Sequence, residues 1–245
     1  MSGFSHQPFF WPQTSDPYFS DVALLLNFDQ AGGSTLLQDS SSYADHRSCG
    51  ALASVSTLAA KFGTGSLQLE SSVSGGAAWP SNARFNCVAG QGLTVEWFFK
   101  AVNRFNGSAA PSMFLCRDST GVAMIEVGLF GIGSEITIRF EQAFNDFRQY
   151  TYTPSGTGWE HIAVCPRAAG GVGVYVNGAL MVERPPAQVF SSGAFGGAGV
   201  SLIVGSWDTT AGANNLLCYM DAFRYTTRDR YPSGCVVPAG PYPLY

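Results

Sequence analysis

The stretch VGVYVNGALMVE, residues 172–183, decides how this chain is read. Val172, Val174 and Val176 recur with period two, the spacing of a strand with one buried face. Asn177-Gly178 follows, and then a second apolar run. Asn-Gly is the strongest short-range hairpin signal, because a type I′ turn needs positive φ at both central positions. The segment therefore reads as two antiparallel strands joined by a two-residue turn.

The same pattern recurs in both directions. Upstream lie VALLLNF (22–28), SLQLES (66–71), LTVEWFFK (93–100), MFLCRD (113–118), VAMIEVGLF (122–130), EITIRF (135–140) and WEHIAVC (159–165). LTVEWFFK places Leu93, Val95, Trp97 and Phe99 on one face. Downstream lie SLIVGSW (201–207) and LLCYMDAFRY (216–225). Turns between them carry Gly, Ser, Asn and Asp. About eleven strands and no long amphipathic helix predict an all-β sandwich of two antiparallel sheets.

Composition agrees. Of 245 residues, 46% are hydrophobic and 12% charged, with 29 glycines. The charged share is half the roughly 25% of an average soluble domain, so small polar residues and turns must keep the chain in solution. Net charge is −4, no Lys or Arg precedes Arg47, and no basic cluster follows. That excludes a nucleic-acid partner, which needs phosphate-neutralising cations. The longest aliphatic run, VALLL, is too short to span a bilayer. MSGFSHQPFFWPQ has neither a basic start nor a continuous apolar stretch, so it is not a secretory signal, and synthesis in a cytoplasm is expected.

Of six cysteines, Cys87, Cys116, Cys165 and Cys218 lie in apolar strand-like sequence, where a thiol acts as a small hydrophobe. Cys49 and Cys235 lie in loop-like sequence, and pairing them would link early and late chain.

Three regions are expected: an extended arm over 1–20, a sandwich over 21–230 and a proline-rich tail over 231–245. Pro8, Pro12 and Pro17 break regular structure in the arm. Its Phe4, Phe9, Phe10 and Trp11 are large and apolar, and either fold back on the domain or dock on another subunit. Pairing the first strand, VALLLNFD, with the last, LLCYMDAFRY, would hide a sheet edge. The tail cannot extend that sheet, since Pro donates no hydrogen bond.

Several motifs form a set: DPYFSDVALLLNFD, KFGTGSLQLES, GWEHIAVC, VGVYVNGALM and YMDAFRYTTRDRY. Over about residues 16–245 the chain resembles the laminin-G-like, concanavalin A-like jelly-roll domains of tailed-bacteriophage virion proteins. The resemblance implies a concanavalin A-like β-sandwich and a structural virion protein, made in the host cytoplasm and carried on the particle. The first expectation is a homo-oligomeric capsid decoration or head-associated protein, bound to other virion proteins through Phe4, Phe9, Phe10 and Trp11. The alternative is a tail-fibre or baseplate module that binds a host surface glycan.

Chemistry is sparse. Glucanases on this fold use two carboxylates close together on one strand face, and no such motif occurs. Glu135 and Glu141 would stand about 20 Å apart by strand rise, beyond the roughly 5–10 Å that glycoside chemistry needs. His6, His46 and His161 accompany no nucleophile elbow, and His161 reads as a packed or hydrogen-bonded strand residue. Some relatives hold calcium, and Asp39, Asp45 and Asp221 are the carboxylates to consider. Ala222 stands where the family often has an acidic residue, so Asp221 reads as ordering a turn. Trp79 and Trp207 are either sugar-stacking platforms or core-edge packing, with packing favoured. No enzyme activity, cofactor, metal ion or catalytic residue is expected.

Overall fold

Every described strand pairs antiparallel with its neighbours. The computed structural model describes residues 15–50, 53–70, 75–86, 90–102, 112–117, 123–129, 136–141, 147–154, 158–184, 199–205 and 217–245. In chain order the strands are β1 (Val22–Leu26), β2 (Leu36–Leu37), β3 (Arg47–Ser48), β4 (Ala53–Ser56), β5 (Ser66–Glu70), β6 (Ala77–Asn82), β7 (Thr94–Ala101) and β8 (Ser112–Arg117). They continue with β9 (Ala123–Leu129), β10 (Ile136–Glu141), β11 (Phe147–Tyr152), β12 (Glu160–Pro166), β13 (Val172–Val176), β14 (Ala179–Arg184), β15 (Val200–Val204) and β16 (Leu217–Thr226).

The large sheet runs β14-β13-β12-β7-β16-β5-β4, the second runs β11-β10-β9-β8-β15-β6, and β2-β3 stands apart. The expected all-β sandwich of two antiparallel sheets is present. β13 and β14 form the hairpin read from Asn177-Gly178, whose φ values of 50° and 80° are those a type I′ turn requires. The strands that the alternation signal did not reveal have their own reasons. β4 is ASVS, too small and polar to stand out. β6 contains Pro80 and is tolerated because it ends its sheet path.

The core lies between the two sheets. Val95, Trp97 and Phe99 of β7 and Ile162 and Val164 of β12 face it from the large sheet. Phe114 and Cys116 of β8, Leu202 of β15 and Trp79 of β6 meet them from the second. The Trp97, Phe114 and Phe223 rings lie 5.5 to 6.4 Å apart between centroids. Burying one such side chain stabilises the fold by about 1.5–3 kcal/mol.

β16 organises the large sheet. Its first half pairs with β5 and its second half with β1, while β7 lies along its other side. The expected pairing of first and last strands is there, with Leu24 opposite Tyr225 and Leu26 opposite Phe223. A bulge divides the halves between Asp221 and Arg224. There Ala222 adopts φ 47°, a left-handed conformation unusual for alanine. The extra residue shifts side-chain parity, as a bulge must. Cys218 and Met220 point into the core before it, Phe223 and Tyr225 after it, and Ala222 turns outward.

The outer face of the large sheet is also buried. Val22, Leu25, Phe98 and Ala222 gather there under Tyr242, with Phe19, Phe62, Trp159 and Val237 against them. Ala163, Cys165 and Tyr175 gather under Tyr231 and Cys235. The proline-rich tail is thus a third layer laid over the sheet. Tyr242 is 3% exposed, and the Asp16 amide donates to the Tyr245 carbonyl at 2.9 Å. Both ends of the described chain meet on this face.

Candidate functional site: an acidic cleft beside the hairpin

β-Strand parity places Glu96, His161 and Arg224 on the outer face, under the tail. Glu96 is fully buried. Its Oε1 accepts from Arg224 Nε and Nη2 at 2.9 and 2.7 Å. Its Oε2 accepts from the Tyr231 hydroxyl at 2.7 Å and from His161 Nε2 at 3.0 Å. Asp16 pairs with Arg224 at 3.0 Å and with Arg230 at 2.7 Å. The Arg224 guanidinium lies 3.7 Å from the Tyr242 ring centroid, a cation–π contact. Burial alone would push the Glu96 carboxyl up, but Arg224, His161 and Arg230 outweigh it and hold that carboxyl well below its usual range.

This cluster has the order of a nucleophile relay but the wrong chemistry for one. Glu96 accepts from His161 Nε2, and Cys235 Sγ stands 3.9 Å from Nδ1 on the other side of the ring. Burial, reinforced by Glu96, pushes the Cys235 thiol up to about 12, so the sulfur stays protonated at neutral pH. Glu96 is already engaged by two arginines and a tyrosine. The cluster ties the tail to the sheet.

The open feature lies next to it. A cleft of about 790 Å³ opens between the β12–β13 turn, the β13–β14 hairpin and the start of the tail, with Arg167, Tyr175, Leu180, Glu183, Asp229 and Ser233 among its lining. That volume is within the roughly 300–1,000 Å³ of small-molecule sites. Arg167 forms its floor, and each of its five N–H groups has a partner. Nε and Nη2 fork onto Glu183 at 3.1 and 3.0 Å. Nη2 also donates to the Tyr175 hydroxyl at 2.7 Å. Nη1 donates to Asp229 at 3.1 Å and to the Tyr231 carbonyl at 2.7 Å. The fork needs Gly173 beneath it, where a Cβ would run into the guanidinium. The Glu183 side chain is 44% exposed, whereas Asp229 is nearly covered at 6%. Burial pushes the Asp229 carboxyl up, with Arg167 pulling it back. Leu180, 51% exposed, supplies an apolar wall on the hairpin side.

Residues singled out from sequence are distributed as follows. Phe4, Phe9, Phe10, Trp11, Cys87, Glu135 and Trp207 lie outside the described residues. Trp79 is fully buried and its indole N–H donates to the Asp45 carbonyl at 2.8 Å, so it packs and offers no stacking platform. Asp39 orders its own loop by accepting from the Leu25, Ser41 and Asp45 amides. Asp45 pairs with Arg47 and Arg84. Asp221 accepts from the amides of Lys61, Phe62 and Ala222 at 2.6, 3.0 and 2.7 Å, and burial pushes it up to about 6 against their pull. Among the described residues, no group of three or more His, Cys, Asp or Glu is placed to hold a metal ion. Cys49 and Cys235 are both free thiols. Sequence reasoning missed the cleft, because Arg167, Glu183 and Asp229 come from three separate segments. The one local signal was Arg167, the arginine that opens the RAAGG turn.

No family model and no curated protein matches the chain. Solved structures do. The binding domain of Paraclostridial Mosquitocidal Protein 1 superposes with TM-score 0.66 at 11% identity, over 86% of this chain and 50% of that one. The fold is shared with toxin binding domains. The botulinum neurotoxin serotype G binding domain gives 0.62 at 13% identity, over 85% and 48%. The botulinum neurotoxin DC binding domain, solved with rat synaptotagmin II, gives 0.62 at 12%, over 86% and 49%. This chain spans about half the length of these structures.

Proposed function

We propose that this chain is a non-catalytic recognition module that engages a carbohydrate on a partner surface through the cleft beside its hairpin. The observation that carries the reading is the cleft itself, a concave site with an apolar wall and convergent polar groups on a sheet edge braced by the tail. The reading is supported further by the solved structures of like fold, which are toxin binding domains, one of them solved with rat synaptotagmin II. Isotope-labelled full-length protein titrated with an oligosaccharide panel tests it. Amide shifts clustered at 167–170, 178–183 and 229–234 are expected, and shifts nowhere in those segments would overturn it.

A second reading concerns the setting, and the phage-type motif set favours it. The module is carried on a virion, as a homo-oligomeric decoration or tail protein, with Phe4, Phe9, Phe10 and Trp11 as its anchor on other virion proteins. Asp16 is fixed against the large sheet by Arg224 and Arg230. Deleting residues 1–14 spares Asp16 and should abolish binding to purified particles. Equal binding by the deletion variant would remove the arm from this role.

A further inference from the structure

We infer that the cleft, on the reading above, selects uncharged or amine-bearing saccharides and rejects acidic ones. Arg167 is the only cation among the described lining residues. All five of its N–H groups are taken by Glu183, Asp229, Tyr175 and the Tyr231 carbonyl. A carboxylate, sulfate or phosphate on a ligand would need that guanidinium, and could gain it only by displacing a carboxylate, the Tyr175 hydroxyl or the Tyr231 carbonyl already bonded to it. Two backbone amides of the lining are also engaged, Gly170 to the Arg167 carbonyl at 3.0 Å and Gly234 to the Tyr231 carbonyl at 3.3 Å.

Acceptors, by contrast, are available. Each carboxylate oxygen has about two lone-pair sites, and Arg167 takes one on each oxygen of Glu183. The Glu183 side chain is 44% exposed. Two carboxylates against one guanidinium leave the lining one negative charge in excess, which repels anions and draws hydroxyl or ammonium donors. Leu180, half-exposed on the hairpin side, offers an apolar surface for the C–H face of a sugar ring. The ligand that fits is donor-rich, with hydroxyls or an amine toward Glu183.

The test titrates full-length protein with lactose, maltotriose, chitosan trimer, sialyllactose and a sulfated heparin disaccharide, reading cleft amide shifts and affinity. Binding of the neutral or amine-bearing probes, with the acidic pair at least about tenfold weaker, is expected. Glu183→Gln should weaken the favoured probe about tenfold. Because that change also loosens the Arg167 fork, Leu180→Lys serves as the second variant. It adds a cation that offsets the excess negative charge of the lining at an exposed position, and should raise affinity for sialyllactose while leaving the melting temperature unchanged. Preferred binding of the acidic probes to wild type, or no gain in Leu180→Lys, overturns the selectivity and leaves the recognition reading standing. No cleft shift with any probe overturns both.

Discussion

Replacing Glu96 by Gln removes one charge from the buried cluster and little volume. In the wild type Glu96 and Asp16 balance Arg224 and Arg230, two charges against two. The variant leaves an uncompensated positive charge among side chains that are 9% exposed or less. Breaking a buried pair on one side costs about 3–5 kcal/mol. At about 2–4 °C per kcal/mol for a chain of this size, the melting midpoint should fall by about 6–20 °C. Adding Arg224→Met leaves Asp16 facing Arg230, so the double variant should be more stable than Glu96→Gln alone. The pH profile carries the same signature. Glu96 is held below its ordinary value of 4.5, so its contribution is present above that value and is lost as pH falls through and below it. The wild-type advantage over Glu96→Gln should therefore be complete at pH 7 and shrink in acid. Urea titration and calorimetry from pH 3 to 7 measure both. A midpoint drop under about 2 °C, or a double variant no better than the single one, would refute the argument that charge balance holds the tail down.

Tyr242→Ala removes a ring that is 3% exposed and stacked on Arg224; a loss of about 3–4 kcal/mol is expected, with faster amide exchange along residues 231–245. Gly178→Ala places a side chain at φ 80°, 3.1 Å from the Cys235 carbonyl. Denaturation should show a loss of about 1–2 kcal/mol from the left-handed strain alone. Asp221 has its folded value raised to about 6 from 3.8, so its protonated form contributes stability below 3.8 that is lost as pH rises through about 6. Between pH 7 and 5 the wild type should gain stability that Asp221→Asn does not. Parallel curves for the two proteins would refute that assignment.

Much of the architecture was legible in sequence because strand patterning is local. Alternation in LTVEWFFK assigned Val95, Trp97 and Phe99 to the core, and Asn177-Gly178 named its own turn. The bulge at Ala222 was not legible, since no alternation rule says where one extra residue enters a strand. Yet that residue sends Arg224 outward to Glu96 and keeps Phe223 inward. The aromatic content of the arm drew attention to Phe4, Phe9, Phe10 and Trp11, while the cleft went unread.

By itself the sequence determined a β-sandwich and its hairpin, because backbone hydrogen bonding and burial repeat every two residues; that the first strand lies beside the last was settled by the tertiary structure. Only the tertiary structure decided that the proline-rich tail is a covering layer, that Trp79 is a packed core residue, and that Arg167, Glu183 and Asp229 share a cleft. Those outcomes depend on which distant segments meet and on how many N–H groups of one guanidinium are already taken. Neither is encoded in any short stretch of chain.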